Sequence, residues 1–234
     1  LKEERGRLTE AMYAQEYLAI PSENVRQIFP DKLISRCLTA KRPNFISDQD
    51  HICGVDPAGL GEDEGSISIL DWNEDREKLK QVEHEITKKL YTTETTSRII
   101  NLEKLYNFRK IYVDDGGIGF GVFSELLHED DTKFKTIALN NSARPLDYMD
   151  ERSKKILGEE MIFNLLVMME KGKIELLDDA EIRESLKSYK FEYSKDRKNL
   201  LISSNYNHPV QSIMRAAWHS QRKDLKLSVY SIKV

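Results

Sequence analysis

HICGVDPAGLGEDEGSISIL, residues 51–70, runs from one apolar segment through an acidic turn into a second apolar segment. The first segment is mostly apolar and ends at Asp56, a pattern typical of a strand that is buried on both faces. The second segment, residues 66–72, alternates between polar and apolar residues and indicates a neighbouring strand. The stretch therefore predicts a buried strand that carries a carboxylate at its carboxyl end.

A later segment, residues 110–114, repeats this pattern. It is apolar, ends at Asp114 and is followed by a glycine-rich turn and by apolar residues at helical spacing. From Asp50 onward, segments with strand character alternate with segments of helical periodicity. This alternation predicts an α/β core with a largely parallel or mixed sheet that is flanked by helices.

The other elements are predicted from the same two periodicities. Further strands are expected at residues 134–139, 174–177 and 227–232, and at 79–86, where a helix is the alternative. Helices are expected from Thr95 to Tyr106 and over residues 151–171 and 208–221. Residues 189–193 and 199–203 predict a β-hairpin with a polar turn.

Residues 1–44 form a different compositional block. Leu8, Met12 and Leu18 recur at helical spacing, and Pro21 ends that pattern. The block shows no strand signal and no apolar core of its own. We therefore expect residues 1–44 to be a helical linker or docking segment and residues 45–234 to form the folded domain.

The composition is that of an ordinary globular protein. The 234 residues include 39% hydrophobic and 32% charged residues, and no apolar run approaches the roughly 20 residues that span a bilayer. The N-terminus lacks the apolar core of a secretory signal, so an intracellular location is expected. Cys37 and Cys53 have no metal-binding spacing and are expected to be reduced structural thiols.

Asp56 and Asp114 occupy equivalent positions at the ends of two predicted strands. Active groups of α/β proteins gather at such carboxyl ends, so the two carboxylates converge if their strands are neighbours. A hard divalent cation such as Mg²⁺ or Mn²⁺ relieves the repulsion between them, and two such ions can activate a water for phosphodiester hydrolysis. The alternative is that both residues only form turns, where aspartate is also favoured.

Other catalytic motifs are weak or missing. The glycines of GGIGFG, residues 116–121, do not match the dinucleotide-binding pattern, and they follow an acidic pair that would repel a pyrophosphate. The sequence contains no G-x-x-x-x-G-K-[ST], no H-E-x-x-H and no G-x-S-x-G. These absences disfavour a P-loop nucleotide site, a zinc protease and a serine hydrolase.

The motifs GVDPAGLGEDEGSISIL and IYVDDGGIGFGVFSEL together resemble the C-terminal nuclease domain of the large terminase subunit of tailed viruses and proviruses. AMYAQEYLA, residues 11–19, is similar to the segment that joins the ATPase of that family to its nuclease. Residues 156–193 resemble its long helix, its G-x-I-x-L turn and its following hairpin. The resemblance implies a ribonuclease-H-like fold with a β-hairpin insertion and a DNA endonuclease that uses two divalent ions, Mg²⁺ or Mn²⁺.

The resemblance also implies roles for individual acids. Asp56 matches the ligand shared by both metals, and Asp114 matches a second ligand. Asp63 matches an acid that lies near the site in the family.

The third position of the family departs from its usual pattern. In many relatives a helix near the C-terminus begins D-x-x-D-A-L, whereas the matching stretch here begins His208-Pro-Val-Gln211. A neutral imidazole can bind Mn²⁺ and, less well, Mg²⁺, which makes His208 the candidate third ligand. The alternative is that His208 is a polar residue at a helix N-terminus with no metal role.

DNA contacts are expected from basic residues beside the acidic site, because the net charge of −4 does not favour general binding to polyanions. The candidates are Lys195, Arg197 and Lys198 near the hairpin and Arg215 near the C-terminus. Solvated surface charge explains these residues equally well.

The resemblance thus predicts the nuclease domain of a viral terminase that cuts concatemeric DNA during genome packaging in the host cytoplasm. Expected partners are double-stranded DNA, the terminase ATPase domain, the small subunit and the portal protein, with no membrane. One alternative is a junction resolvase-like nuclease of the same fold. The other is a non-catalytic, terminase-like domain that grips DNA or docks on the portal.

Overall fold

A computed structural model of the chain describes residues 27–59, 61, 64–143, 156–193 and 200–221. The strands are β1 (Leu38–Ala40), β2 (Asp50–Asp56), β3 (Glu64–Asn73), β4 (Lys78–Lys88), β5 (Lys110–Val113), β6 (Thr136–Ala138), β7 (Ile174–Leu177), β8 (Lys190–Tyr193) and β9 (Leu200–Ser203). The helices are α1 (Asp31–Cys37), α2 (Thr92–Tyr106), α3 (Gly119–His128), α4 (Leu157–Glu170), α5 (Ala180–Ser188) and α6 (His208–Ala217), and α6 continues into a 3₁₀ turn at Trp218–Gln221.

Strands β1 to β7 form one mixed sheet in the order β1-β7-β4-β3-β2-β5-β6. Strand β3 is antiparallel to both of its neighbours, β2 and β4, whereas β5 runs parallel to β2 and β6 runs parallel to β5. The pairing of β2 with β5 places Val55 beside Val113. The carboxyl ends of these two strands therefore lie side by side, which is the condition under which Asp56 and Asp114 are expected to converge.

Alternating residues of the central strands contribute side chains to two apolar layers, one on each face of the sheet. Ile52 packs with residues of α1, α4 and α6 on one face of the sheet, whereas Cys53 and Val55 pack with residues of α2 and α3 on the other. Burial on both faces explains why β2 is almost continuously apolar. Packing on both faces thus fixes the sheet and holds the carboxyl ends of β2 and β5 in place.

Gly54 sets the distance between β2 and helix α6. A Cβ atom at this position would lie 2.0 Å from the carbonyl oxygen of Ser212 and 2.7 Å from the backbone nitrogen of Ala216. Only glycine lets a helix approach a strand this closely. The close approach brings the polar residues of α6 to the end of β2.

The described part of residues 1–44 corrects the prediction that this block has no strand and no core. Strand β1 pairs in parallel with β7, and Ile28, Phe29, Ile34 and Leu38 are buried in the core layer that contains α4 and α6. Residues 27–40 are therefore an integral part of the domain. Residues 1–26 lie outside the described residues.

Most predicted elements are confirmed, with shifted boundaries. Residues 79–86 are strand, and β8 and β9 pair as the predicted antiparallel hairpin. Helix α2 begins at Thr92, three residues before the predicted cap, and the predicted helix at 208–221 changes to a 3₁₀ turn at Trp218. The start of the helix predicted at 151–171, the tip of the hairpin and the strand predicted at 227–232 lie outside the described residues.

Both cysteines are free and buried, as expected of structural thiols. Burial raises the pKa of the Cys53 thiol, which keeps it protonated and unreactive at neutral pH. Within the described ranges, none of the helices has both the length and the apolar character that a membrane crossing requires.

Candidate metal centre

Two carboxylates meet at the carboxyl ends of the parallel strands β2 and β5. Asp56 is the last residue of β2, and Asp114 directly follows β5. The backbone N–H of Asp114 donates to the carbonyl oxygen of Val55 at 3.2 Å, so the parallel pairing reaches the acidic residues themselves. The predicted convergence of the two strand ends is confirmed.

The guanidinium of Arg215 lies between these two carboxylates. Its Nη1 atom is 3.2 Å from Oδ1 of Asp56, and its Nη2 atom makes a close ion pair with Oδ2 of Asp114. The Arg215 side chain is 0% exposed, whereas those of Asp56 and Asp114 are 13% and 18% exposed. A planar guanidinium suits this bridging position because its two amino groups point to separate acceptors.

A polar network around the guanidinium holds it in place. Nη1 also donates to the backbone oxygen and the Oε1 atom of Gln211, at 2.9 and 3.0 Å, and Nη2 donates to Oδ1 of Asn141 at 3.1 Å. The Asn141 amide donates to Oε1 of Gln211, whose own amide donates to the hydroxyl of Tyr189, both at 2.9 Å. The guanidinium of Arg215 therefore donates hydrogen bonds to uncharged oxygens of Gln211 and Asn141 as well as to the two carboxylates.

Helix α6 supplies the polar groups because of its residue spacing. His208, Gln211 and Arg215 follow one another by three and four residues, which places them on one face of a helix. The apolar residues of α6, such as Ile213 and Met214, are fully buried in the core. One helix therefore anchors itself in the core and directs a polar stripe at the strand ends.

His208 contacts the second oxygen of Asp56. Its Nδ1 atom lies 3.1 Å from Oδ2 of Asp56, and its side chain is 26% exposed. The backbone oxygen of His208 accepts a hydrogen bond from the hydroxyl of Ser66 on the neighbouring strand β3. The start of α6 is thereby fixed against the sheet, with the imidazole beside Asp56.

Burial raises the pKa of the Asp114 carboxyl above its ordinary value, and the nearby charge of Asp56 acts in the same direction. The positive charge of Arg215 and the backbone N–H of Gly116 oppose this shift. Gly116 donates to Oδ1 of Asp114 at 3.0 Å. The raised pKa shows that the positive charge nearby does not fully offset the burial of this carboxylate.

The donor types at this position fit a divalent cation. Two carboxylates and an imidazole are ligands that Mn²⁺ accepts readily, and the guanidinium marks a place where a positive charge is already stabilised. Within the described ranges, no three or more histidine, cysteine or acidic side chains are grouped closely enough to hold an ion. Arg215 and a metal would both depend on the carboxylates of Asp56 and Asp114.

The structure locates only some of the predicted site residues. Asp56, Asp114 and His208 come together, whereas Asp63, Lys195, Arg197 and Lys198 lie outside the described residues. Arg215, predicted as a DNA contact, is instead fully buried between the carboxylates. That position differs from the exposed one expected of a phosphate contact.

Sequence reasoning missed the bridging role of Arg215 and the supporting roles of Gln211, Asn141 and Tyr189. One signal was available for Arg215. It lies two helical turns after His208, among residues such as Met214 and Ala217 that were expected in the core.

No family model and no curated protein sequence matches the chain. Solved structures of low sequence identity do match it. The large terminase nuclease from thermophilic phage G20c with bound magnesium is 20% identical, with a TM-score of 0.62 over 84% of this chain and 98% of that one.

Two further matches come from other phages. The large terminase from another thermophilic bacteriophage is 14% identical, with a TM-score of 0.67 over 93% of this chain and 51% of that one. A mutant nuclease domain of the large terminase subunit gp2 of bacterial virus Sf6, with manganese and beta-thujaplicinol, is 10% identical, with a TM-score of 0.60 over 82% of this chain and 98% of that one. The seven-stranded mixed sheet flanked by helices therefore has the fold of these large terminase nuclease domains, in agreement with the resemblance of the two acidic motifs.

Proposed function

We propose that this chain is the metal-dependent DNA endonuclease domain of a viral large terminase subunit, which cuts concatemeric DNA during genome packaging. The observation that carries the proposal is the convergence of Asp56 and Asp114 at the ends of two parallel strands around one positive charge. The matched G20c nuclease contains magnesium and the matched Sf6 domain contains manganese. These two matches support Mg²⁺ or Mn²⁺ as the cofactor of this chain.

The proposed ligands are Asp56 and Asp114, with His208 as the third and Asp63 as a further candidate. When bound, Mg²⁺ or Mn²⁺ supplies Lewis-acid chemistry that activates water and stabilises charge on the leaving oxygen of a phosphodiester. Asp56 and Asp114 direct negative charge to one point because the register of β2 and β5 fixes both backbones. The bond from Ser66 to the backbone of His208 fixes the imidazole beside Asp56.

The proposed partners follow the same assignment. Double-stranded DNA would be bound by cations near the hairpin, with Lys195, Arg197 and Lys198 as the candidates. The terminase ATPase domain, the small subunit and the portal protein are proposed as protein partners. The match to only 51% of one large terminase chain supports a place in a longer protein.

Cleavage of supercoiled plasmid in Mn²⁺ or Mg²⁺ tests this proposal. Asp56→Asn and Asp114→Asn each remove one negative charge without changing side-chain size, and we expect each to lower the rate by about 100-fold or more. Asp50→Asn is the matched control, because Asp50 is an exposed acid at the opposite end of β2. It should cut at the wild-type rate.

The same assay separates the proposed residue roles. His208→Ala should reduce cleavage by about 10-fold to 100-fold if the imidazole acts as a ligand, and it should have little effect otherwise. A wild-type protein that cuts nothing in either metal contradicts the nuclease proposal. Cutting that survives Asp56→Asn removes the site assignment instead.

A non-catalytic DNA-gripping or portal-docking domain is the second candidate. The observation that favours it is the guanidinium of Arg215, which satisfies both carboxylates without a metal. This candidate predicts that the chain binds DNA but leaves plasmid intact in both metals. A junction resolvase-like nuclease would instead cut four-way junctions in preference to linear duplex.

A further inference from the structure

Arg215 differs from the other ion-paired arginines of the described chain in its burial. Its side chain is 0% exposed, whereas those of Arg42, Arg98, Arg109 and Arg183 keep 30% to 49% of their surface. Burying a guanidinium is costly unless several acceptors compensate it, and five acceptor contacts surround this one. Such a position requires an explanation beyond surface charge.

We propose that Arg215 is the internal cation of the carboxylate pair, so that a divalent metal binds only by displacing its guanidinium from Asp56 and Asp114. This inference rests on the proposed function only in taking these two carboxylates as the metal ligands. It assigns Arg215 as the residue that sets how much Mg²⁺ or Mn²⁺ the site requires.

Electrostatics make the two cations exclusive. The guanidinium bonds to Oδ1 of Asp56 and Oδ2 of Asp114, the two carboxylates that would also hold a metal. Two positive charges within a few ångströms repel strongly in a site shielded from water. Without either cation, the two partly buried carboxylates would repel each other instead.

The hydrogen-bond network around Arg215 offers the guanidinium acceptors other than the two carboxylates. If both carboxylate bonds break, Nη1 still has the two oxygens of Gln211, and Nη2 still has Oδ1 of Asn141. Within the described residues the Nε atom has no hydrogen-bond partner, so a rotation of the side chain breaks no bond there. Displacement therefore breaks two ion pairs and leaves three acceptor atoms on Gln211 and Asn141 to which the guanidinium can still bond.

Mn²⁺ binding to the full chain without DNA tests the inference. Free Mn²⁺ is measured by electron paramagnetic resonance for the wild type and for Arg215→Met, which keeps an unbranched apolar side chain at this position and removes the guanidinium and its charge. We expect the variant to bind Mn²⁺ with a Kd about 10-fold or more below that of the wild type. A Kd equal to or above the wild-type value overturns the inference.

Thermal unfolding gives a second readout that does not depend on activity. Metal-free Arg215→Met should unfold at a lower temperature than the wild type, because its carboxylate pair has lost its cation. Saturating Mn²⁺ should raise the Tm of the variant more than that of the wild type. If Arg215→Met is unfolded even in saturating Mn²⁺, the metal does not replace the guanidinium and the inference is wrong.

Two further variants test whether the change in Mn²⁺ affinity is specific to the charge of Arg215. Arg215→Lys keeps a charge that cannot reach both carboxylates at once, so its Kd should fall between those of the wild type and Arg215→Met. Arg98→Met is the matched control, since Arg98 is a half-exposed arginine paired with Glu85, and it should bind Mn²⁺ as the wild type does. Adding Asp56→Asn to Arg215→Met should abolish the gain in affinity.

The outcome is separable from that of the plasmid assay. If the wild type cuts no DNA but Arg215→Met binds Mn²⁺ more tightly, the internal cation is supported and the nuclease proposal fails. If the wild type cuts DNA and Arg215→Met binds no more tightly, the nuclease proposal is supported and the internal cation fails.

Discussion

His84 is a buried histidine that should make stability depend on pH. Its side chain is almost fully buried, its Nδ1 atom lies 3.0 Å from the Ser68 hydroxyl, and burial lowers its pKa to about 4. The unfolded chain protonates this imidazole near pH 6.5, so the stabilisation is complete above that pH and is lost as the pH falls towards 4. The full loss is about 3 kcal/mol.

Urea unfolding at several pH values between about 7 and 4 measures this loss. Carboxylates also titrate towards the acidic end of this range, so the informative quantity is the difference between the wild type and His84→Gln. Glutamine cannot be protonated, and the free energy of unfolding of the variant should therefore fall less steeply with decreasing pH. Parallel curves for the two proteins would show that His84 does not cause the loss.

The contact between β2 and α6 is the element on which the site depends. In Gly54→Ala the new methyl group would meet the backbone of Ser212 at 2.0 Å, and backbone cannot move aside as a flexible side chain can. We expect a loss of about 3 kcal/mol or more in the free energy of unfolding. Because α6 carries His208 and Arg215, its displacement should also weaken Mn²⁺ binding and DNA cleavage.

Gly121→Ala in helix α3 is the matched control for this contact. Its new methyl group would meet only the Thr92 side chain, at 3.2 Å, and alanine is favoured over glycine within a helix. Its stability should stay within about 1 kcal/mol of the wild type. If Gly54→Ala unfolds at the same urea concentration as this control, the close approach of α6 does not constrain the structure.

Across the whole fold, the sequence predicts those strands and helices that local periodicity determines. Strands β2 and β5 are predicted because each is an apolar run that ends in an aspartate, whereas their pairing with each other is not predicted, since two further strands and a helix separate them in the chain. Strand β1 is not predicted, because its three residues pair with β7, which lies far along the chain, and pack into a core formed by distant elements. Short strands of this kind depend on tertiary contacts that no local pattern records.

The same distinction holds for the candidate site. Asp56 and Asp114 are predicted from the position of each at its own strand end, and His208 from the resemblance of the helix it begins. The burial of Arg215 depends on both carboxylates and on Asn141, which lie on other elements. A single arginine in an amphipathic helix normally indicates the solvent-facing side, and that general preference outweighs the spacing of Arg215 from His208 in the sequence.

The acidic net charge leads to the last prediction, which concerns DNA affinity. A chain of net charge −4 must bind phosphates through a few local cations, so replacing the hairpin cations with glutamine should weaken DNA binding and flatten its salt dependence by about 2 to 3 in log–log slope. The cations to be replaced together are Lys195, Arg197 and Lys198. A control triple variant changes the charge equally near the amino ends of β2 and β5, at Lys80, Lys104 and Lys110. Fluorescence anisotropy at several salt concentrations measures both. Equal losses in the two triple variants would mean that net charge, and not the hairpin, determines the affinity.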